Sequence, residues 1–385
     1  MSKDTSKQTR AVRAGIDSDT QHGAVMPPLY LSSNFAFAGL GEPRPYDYSR
    51  TANPTRDLLA TALADLEEGA GATVTASGMA AIHLVCQLLN PGDLVIGPRD
   101  CYGGTFRLFT QCARRGLFKV ELVDQADPVA LADAMSRQPR LVWVESPTNP
   151  LMRIIDLAAL AAQAKDCGAL TAVDNTFLSP ALQRPLTLGA DLVVHSTTKY
   201  LNGHSDMIGG AVIAATPELH EQMRYWGNAM GLSGSPFDSF LNLRGLRTLH
   251  VRIRQHEINA MALAELLAGH PAVSAVHYAG LPDHPDHALA TRQQDGFGGM
   301  LSFELKGGEA GVRALLLQLE LYTLAESLGG VESLICHPAT MSHATFDADS
   351  LAAAGIGAGL LRISTGIEAT EDLVADLRQG LDAAL

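Results

Sequence analysis

The chain has 385 residues, enough to bury a large core and to form two domains rather than one. Hydrophobic residues make up 46% and charged residues 18%, an ordinary globular composition that excludes a disordered chain. The formal net charge of -13 argues against nucleic acid or an anionic membrane as partner, because phosphate contacts need clustered Lys and Arg. The cysteines are Cys86, Cys101, Cys112, Cys167 and Cys336, an odd number with no C-x-x-C pair, and they read as reduced thiols. The first ten residues lack an apolar signal core, and no stretch approaches the roughly 20 apolar residues of a membrane span. A cytoplasmic location is the expectation.

Residues 1–60 read as an irregular arm broken by Pro27, Pro28, Pro43, Pro45 and Pro54. Such a long arm is usually functional or lies against another subunit. A helix is predicted over 58–67, with Gly69 as its stop signal. Seven short apolar runs then alternate with helical segments, at 72–75, 94–97, 119–123, 141–144, 170–173, 192–195 and 210–214. Near-continuous apolar strands separated by helices imply a mostly parallel sheet covered on both faces. After Phe237 the pattern changes. One long helix or two in sequence is predicted over 241–268, strands over 300–305 and 360–364, and a helix over 310–318. The organisation expected is an arm over 1–60, an α/β domain over 61–255 and a smaller α+β domain over 256–385.

Two of these strands end in chemistry. The run 170–173 leads into Asp174, and the run 192–195 leads into Ser196-Thr-Thr198-Lys199. An acid and a lysine at the carboxyl ends of neighbouring parallel strands face the ligand crevice of an α/β sheet. A lysine for a Schiff base and an acid for a pyridinium nitrogen are what pyridoxal 5′-phosphate demands. Alone, Lys199 reads as a solvated lysine and Asp174 as a cap for the next helix. The hydroxyls of Ser196 and Thr198 suit a phosphate. So does Ser77-Gly78-Met79, where a strand runs into the start of a helix. Tyr102, after the 94–97 strand, could stack on a flat ring or simply pack in a turn. Tyr48 and Arg50 sit two apart in a loop that binds phosphate or is merely solvated. Arg362 lies inside an apolar strand; it grips a substrate carboxylate, or it pairs with a nearby acid. The pairs His284/His287 and His337/His343 lack the spacings of zinc sites, so no metal is expected.

In this order the motifs resemble the Cys/Met-metabolism family of pyridoxal phosphate enzymes, a branch of fold type I. The resemblance covers essentially the whole chain. It is carried by Tyr48-Ser-Arg50-Thr-Ala-Asn-Pro-Thr, Glu145-Ser-Pro-Thr-Asn-Pro, Asp174-Asn-Thr-Phe, Ser196-Thr-Thr-Lys199-Tyr-Leu-Asn-Gly-His-Ser-Asp and Ala325-Glu-Ser-Leu-Gly-Gly-Val-Glu-Ser-Leu. It implies a large, mostly parallel seven-stranded sheet domain with a smaller C-terminal α+β domain. It also implies roles. Lys199 carries the covalent Schiff base and moves protons, Asp174 pairs with the pyridine nitrogen, and Tyr102 stacks on the ring. Gly78, Met79, Ser196 and Thr198 hold the phosphate. Tyr48 and Arg50 reach the phosphate of a neighbouring subunit, so the active unit is at least a dimer, usually within a homotetramer. Arg362, Asn149 and Ser327 hold the substrate α-carboxylate, while Glu326, Asp47 and Arg107 are further substrate contacts.

The reaction implied is γ-replacement, in which L-cysteine displaces the acyloxy group of O-succinyl-L-homoserine to give L-cystathionine. Elimination from cystathionine, or sulfhydrylation of an O-acylhomoserine, would use nearly the same residues. A non-catalytic protein of the same fold is the reading from another class; intact Lys199, Asp174 and Arg362 weigh against it. Two positions bear on the choice. Thr51 stands where close γ-replacing members can carry a second Arg, and Gly104 stands where methionine γ-eliminating members typically carry Cys.

Overall fold

The computed structural model describes residues 5–344 and 346–385. Seven of its strands are β1 (Gly71–Thr75), β2 (Leu94–Pro98), β3 (Lys119–Val123), β4 (Leu141–Glu145), β5 (Leu170–Asp174), β6 (Leu192–Ser196) and β7 (Gly210–Ala214). They form a sheet of order β1-β7-β6-β5-β4-β2-β3. The ladders β2–β3, β2–β4 and β5–β6 are parallel, and β7 runs antiparallel to both its neighbours, β1 and β6. All seven match the predicted runs to within one residue at each end. Every residue of β4 and β7 is buried, as a sheet covered on both faces requires. A second sheet has the order β10-β11-β12-β9-β8, with β8 (Val273–His277), β9 (Met300–Leu305), β10 (Thr323–Leu324), β11 (Leu334–Cys336) and β12 (Leu360–Ser364).

The chain divides into two compact units, Met1–Asn90 with Ala172–His250, and Pro91–Thr171 with Val251–Leu385. In the first, the helix Pro54–Glu67 begins four residues before the predicted start. Asn53 caps it, its Oδ1 accepting from Thr55 N at 2.9 Å and Arg56 N at 3.3 Å. Pro54 therefore starts this helix instead of breaking the chain, since the first helical position tolerates proline. The left-handed residue at its end is Glu68, with φ 60°, and not Gly69. Gly69 serves a different purpose: a Cβ there would lie 2.4 Å from Ile213 Cγ2.

In the second unit, Leu301, Phe303 and Leu305 of β9 and Leu361 and Ile363 of β12 alternate into one core. Leu373, Leu377 and Leu381 of the helix Thr370–Ala383 fill it at a spacing of four, one stripe of a helix. Leu263 and Leu267 of the helix Leu249–Gly269 complete it. Of the one long helix or two in sequence predicted over 241–268, the structure has two, Pro236–Leu246 and Leu249–Gly269.

This unit also buries two neutral histidines. His256 Nδ1 lies 2.7 Å from Thr365 O, and burial lowers its pKa from 6.5 to about 4, with Arg252 adding to the effect. Burial, with the Arg362 cation, likewise lowers His343 to about 4. Below pH 6.5 the unfolded chain binds protons that these folded imidazoles refuse. Stability contributed by the pair is thus present above that pH and is lost as pH falls toward 4. Urea unfolding at about pH 5 should give a stability lower by a few kcal/mol than at about pH 7.5. His256→Gln should flatten part of that slope.

Candidate active site

In the first unit β5 and β6 are adjacent and parallel, with Asp174 opposite Val194. Asp174 ends its strand and Lys199 follows the end of the other. Lys199 N donates to Ser196 O at 3.3 Å, and Gly203 N donates to Lys199 O at 2.8 Å, so the lysine sits in a closed turn. The acid and the lysine therefore occupy the predicted strand ends. Asp174 does not cap the next helix: Ser179–Leu182 starts after Leu178 with no side-chain cap. Instead Asp174 Oδ1 accepts from Thr176 N at 3.0 Å. Burial raises the Asp174 carboxyl above the usual carboxylate range, against the Thr176 hydrogen bonds and the charges of His195 and Lys199. Thr176 Oγ1 in turn accepts from Ser196 N at 2.9 Å, which ties the two strand ends together. His195, fully buried, lies 2.6 Å from Glu67 Oε1 and backs this region.

The helix Gly78–Cys86 starts beside the same strand end. Ser77 Oγ caps it by accepting from Ala80 N at 3.1 Å. A Cβ at Gly78 would lie 2.8 Å from Ser196 Cβ, so the absence of a side chain is what lets the helix start approach Ser196. Thr198 Oγ1 accepts from Gly209 N at 3.1 Å and donates to Gly209 O at 3.2 Å. First-turn amides such as those of Gly78 and Met79 have no intrahelical acceptor, and with the neighbouring hydroxyls they favour an anion. Asp47, Tyr48 and Arg50 lie elsewhere, on the exposed arm. Asp47 Oδ1 accepts from Tyr48 N at 2.6 Å, Arg50 stands 5.5 Å from the Tyr48 ring centroid, and Arg50 Nη1 donates to Asn228 Oδ1 at 2.5 Å. Among the described residues none of the three bonds to Gly78, Met79, Ser196 or Thr198.

The second unit carries the other predicted residues. Arg362, at the centre of β12, is 3% exposed. Its Nη1 donates to Asn149 Oδ1 at 2.8 Å and its Nη2 to Ser327 O at 3.0 Å. Its Nε makes no hydrogen bond, and no carboxylate pairs with it among the described residues. Among the described residues there is thus no structural ion pair at Arg362, and the buried cation is held by the neutral groups Asn149 Oδ1 and Ser327 O. Ser327 has φ 85°, a left-handed conformation that a serine rarely adopts and that places its carbonyl on Arg362. Burial raises the Tyr102 hydroxyl above its ordinary value; Arg107 and Arg362 oppose the shift, while Glu326 and Glu145 add to it. Tyr102, Arg107, Glu326 and Arg362 therefore share one electrostatic neighbourhood.

Sequence reasoning gives no site role to Thr176 or Glu145, though both stand inside the family motifs, and weighs His343 only as half of a possible zinc pair. The hydroxyl of Thr176, two residues after the acid, was a readable signal; a lone histidine and a strand-end glutamate were not. Of the other histidines in the two pairs weighed for zinc, His284 Nδ1 accepts from Asp286 N at 3.1 Å, His287 Nδ1 lies 2.8 Å from Ala279 O and His337 Nδ1 lies 2.8 Å from Thr340 Oγ1. Among the described residues no group of three or more His, Cys, Asp and Glu side chains is placed to hold a metal ion. No helix among them is long and apolar enough to cross a membrane.

These residues fit one cofactor. An acid made costly to ionise by burial calls for a cationic partner, which a pyridinium nitrogen supplies. A glycine-lined helix start against Ser196 suits its phosphate, and the lysine its aldehyde carbon. A lysine and an acid at adjacent strand ends of a largely parallel sheet are the marks of a fold-type I pyridoxal phosphate enzyme. The chain belongs to the Cys/Met metabolism PLP-dependent enzyme family, which matches residues 8–382. It is 55% identical to cystathionine gamma-synthase of Escherichia coli strain K12 over 382 residues, 99% of each chain. A crystal structure of cystathionine gamma synthase from Xanthomonas oryzae pv. oryzae in complex with cystathionine is 60% identical. It superposes with a TM-score of 0.98 and is covered to 98% by 99% of this chain. Cystathionine beta-lyase of Coxiella burnetii is 47% identical over 379 residues, 98% of this chain and 97% of that one. Pyridoxal phosphate is the cofactor of this family. Gly78→Ala should weaken its retention by about tenfold, because the new methyl must push Ser196 or the helix start away. Equilibrium dialysis of the cofactor checks this.

Proposed function

We propose that this chain is a cystathionine γ-synthase: it replaces the acyloxy group of O-succinyl-L-homoserine with the thiol of L-cysteine, giving L-cystathionine for methionine biosynthesis. The observation that carries the amino-acid part of this reading is Arg362, a buried guanidinium that has neutral partners and no carboxylate among the described residues. A planar, permanent cation held by Asn149 and Ser327 is suited to a bidentate grip on an α-carboxylate. The similarity to γ-synthases over the full length supports the reaction.

When bound, pyridoxal phosphate supplies the electron sink for a carbanion at the substrate α-carbon. Lys199 would bind it covalently, and Asp174 would keep the ring nitrogen protonated. Gly78, Met79, Ser196 and Thr198 would hold the phosphate and Tyr102 would cover the ring. Lys199 Nζ, free once substrate is bound, would take the Cα proton, hand it on, and then take a Cβ proton. The γ-carboxylate would leave, the cysteine thiolate would add at Cγ, and Lys199 would return protons to Cβ and Cα. One base can serve successive carbons because the lysine stem is long and flexible. Glu326, Asp47 and Arg107 contact the distal parts of the two substrates. Tyr48 and Arg50 complete the phosphate site of a second copy, within a homotetramer whose arm, residues 1–60, packs on its neighbour. Exposed Tyr30, Leu31, Phe37, Leu40 and Tyr48 on that arm support a partner surface.

A mass-spectrometric product assay tests the reaction. With O-succinyl-L-homoserine and L-cysteine the enzyme should form cystathionine, and without cysteine only slow 2-oxobutanoate. No cystathionine, but rapid 2-oxobutanoate from added cystathionine, would move the assignment to a γ-lyase.

A further inference from the structure

The helix Gly103–Arg114 begins without a side-chain cap of its own. Its N-cap residue is Tyr102, whose phenol makes no cap hydrogen bond. The cap comes from another strand. Tyr102 N donates to both oxygens of Glu145, at 2.9 Å to Oε2 and 3.1 Å to Oε1. Glu145 is the last residue of β4 and is 5% exposed. Its Oε1 also accepts from Trp143 Nε1 at 3.3 Å. Trp143 is fully buried and meets Phe109 of the same helix edge-on, with ring centroids 5.8 Å apart and planes at 87°. One strand thus grips the helix at two points, Trp143 on Phe109 and Glu145 on the Tyr102 amide. From the other side, a Cβ at Gly103 would lie 2.6 Å from Ser342 O, so the chain just after Tyr102 cannot slide.

The Glu145 bonds act on the Tyr102 backbone itself and the other two contacts on the helix it begins, while Tyr102 as a whole stays 42% exposed. A ring that must lie flat on a cofactor depends on where its Cα is held. A carboxylate suits this task better than a neutral cap. Its charge opposes the positive end of the helix, and its two oxygens share one N–H, so that rotation of the group does not release it.

We propose that Glu145 is a positioning residue: its buried carboxylate fixes the Tyr102 amide and thereby sets the placement of the phenol ring. This rests on the cofactor-covering role of Tyr102 given above. The test compares the holoenzymes of wild type, Glu145→Gln, Glu145→Ala, Tyr102→Ala and the double variant Glu145→Ala/Tyr102→Ala. The readouts are the dissociation constant of pyridoxal phosphate and the pH midpoint of its visible absorption band. Glu145→Ala should weaken retention about tenfold and shift the midpoint. Glu145→Gln, which keeps an accepting oxygen and the side-chain volume, should fall between it and wild type. Adding Glu145→Ala to Tyr102→Ala should change neither readout further. An equal loss with and without the Tyr102 ring would overturn the inference, since Glu145 would then act on the fold at large. If Tyr102→Ala itself moves neither readout, the covering role fails first and the inference with it. Should the alanine variant not fold, Glu145→Gln in the two Tyr102 backgrounds gives the same decision.

Discussion

Replacing Lys199 by Ala is expected to lower kcat by about 10⁴-fold or more, because one side chain serves as covalent anchor and as base. The loss should be chemical and not structural. The turn that holds Lys199 is made by backbone bonds, Lys199 N to Ser196 O and Gly203 N to Lys199 O, and these survive truncation to Ala. The side chain is only half-buried, so its removal leaves no sealed cavity. Thermal unfolding of the variant without cofactor should therefore stay close to that of wild type, lowered by the lost attraction between Lys199 and Asp174. The visible band of covalently attached pyridoxal phosphate should disappear, while loosely held cofactor can still be washed in. Near-normal turnover in this variant would sink the assignment of Lys199, and with it the reaction proposed above.

The parts of this protein that the sequence shows plainly are those fixed by local physics. Seven strands were readable because a sheet covered on both faces needs unbroken apolar runs, as β4 and β7 illustrate. β9 and β12 show instead an alternation, with Leu301, Phe303 and Leu305 and with Leu361 and Ile363 at every second residue. The short β10 and β11, of two and three residues, carry too little pattern to be seen. Strand β8 is mostly accessible and pairs only with β9, at the edge of its sheet, so it lacks an apolar signature. The start of the helix Pro54–Glu67 was missed because Pro54 was weighed as a breaker, when Asn53 before it makes a capped start. In the site, Lys199 and Asp174 announced themselves by following apolar strands. The choice between cap and cofactor acid for Asp174 needed the start of the next helix, which begins five residues later. Likewise spacing alone could not give Arg362 its partners, although the resemblance had grouped Asn149 and Ser327 with it. Asn149 is more than two hundred residues away in the chain, and Ser327 contributes a backbone carbonyl that any residue type would possess.

Arg362 is the second site at which a large effect is expected, and the kind of loss matters more than its size. Removing the guanidinium by Arg362→Ala should lower kcat/KM for O-succinyl-L-homoserine by about 10³-fold, most of it through KM. The interaction with the α-carboxylate is made alike in the ground and transition states. Arg362→Lys keeps the charge but has neither the planar fork nor the reach to satisfy Asn149 Oδ1, Ser327 O and a carboxylate together, so a loss of about 10²-fold is expected. If Arg362 were only structural, both variants would instead lower the unfolding temperature and leave KM unchanged. A substrate analogue lacking the α-carboxylate separates the two cases. Wild type and Arg362→Ala should handle it equally poorly, because the group that the guanidinium recognises is gone from one partner or the other. A tenfold or larger gap between them on that analogue would show that Arg362 acts through Asn149 and Ser327, and the carboxylate role would have to be given up.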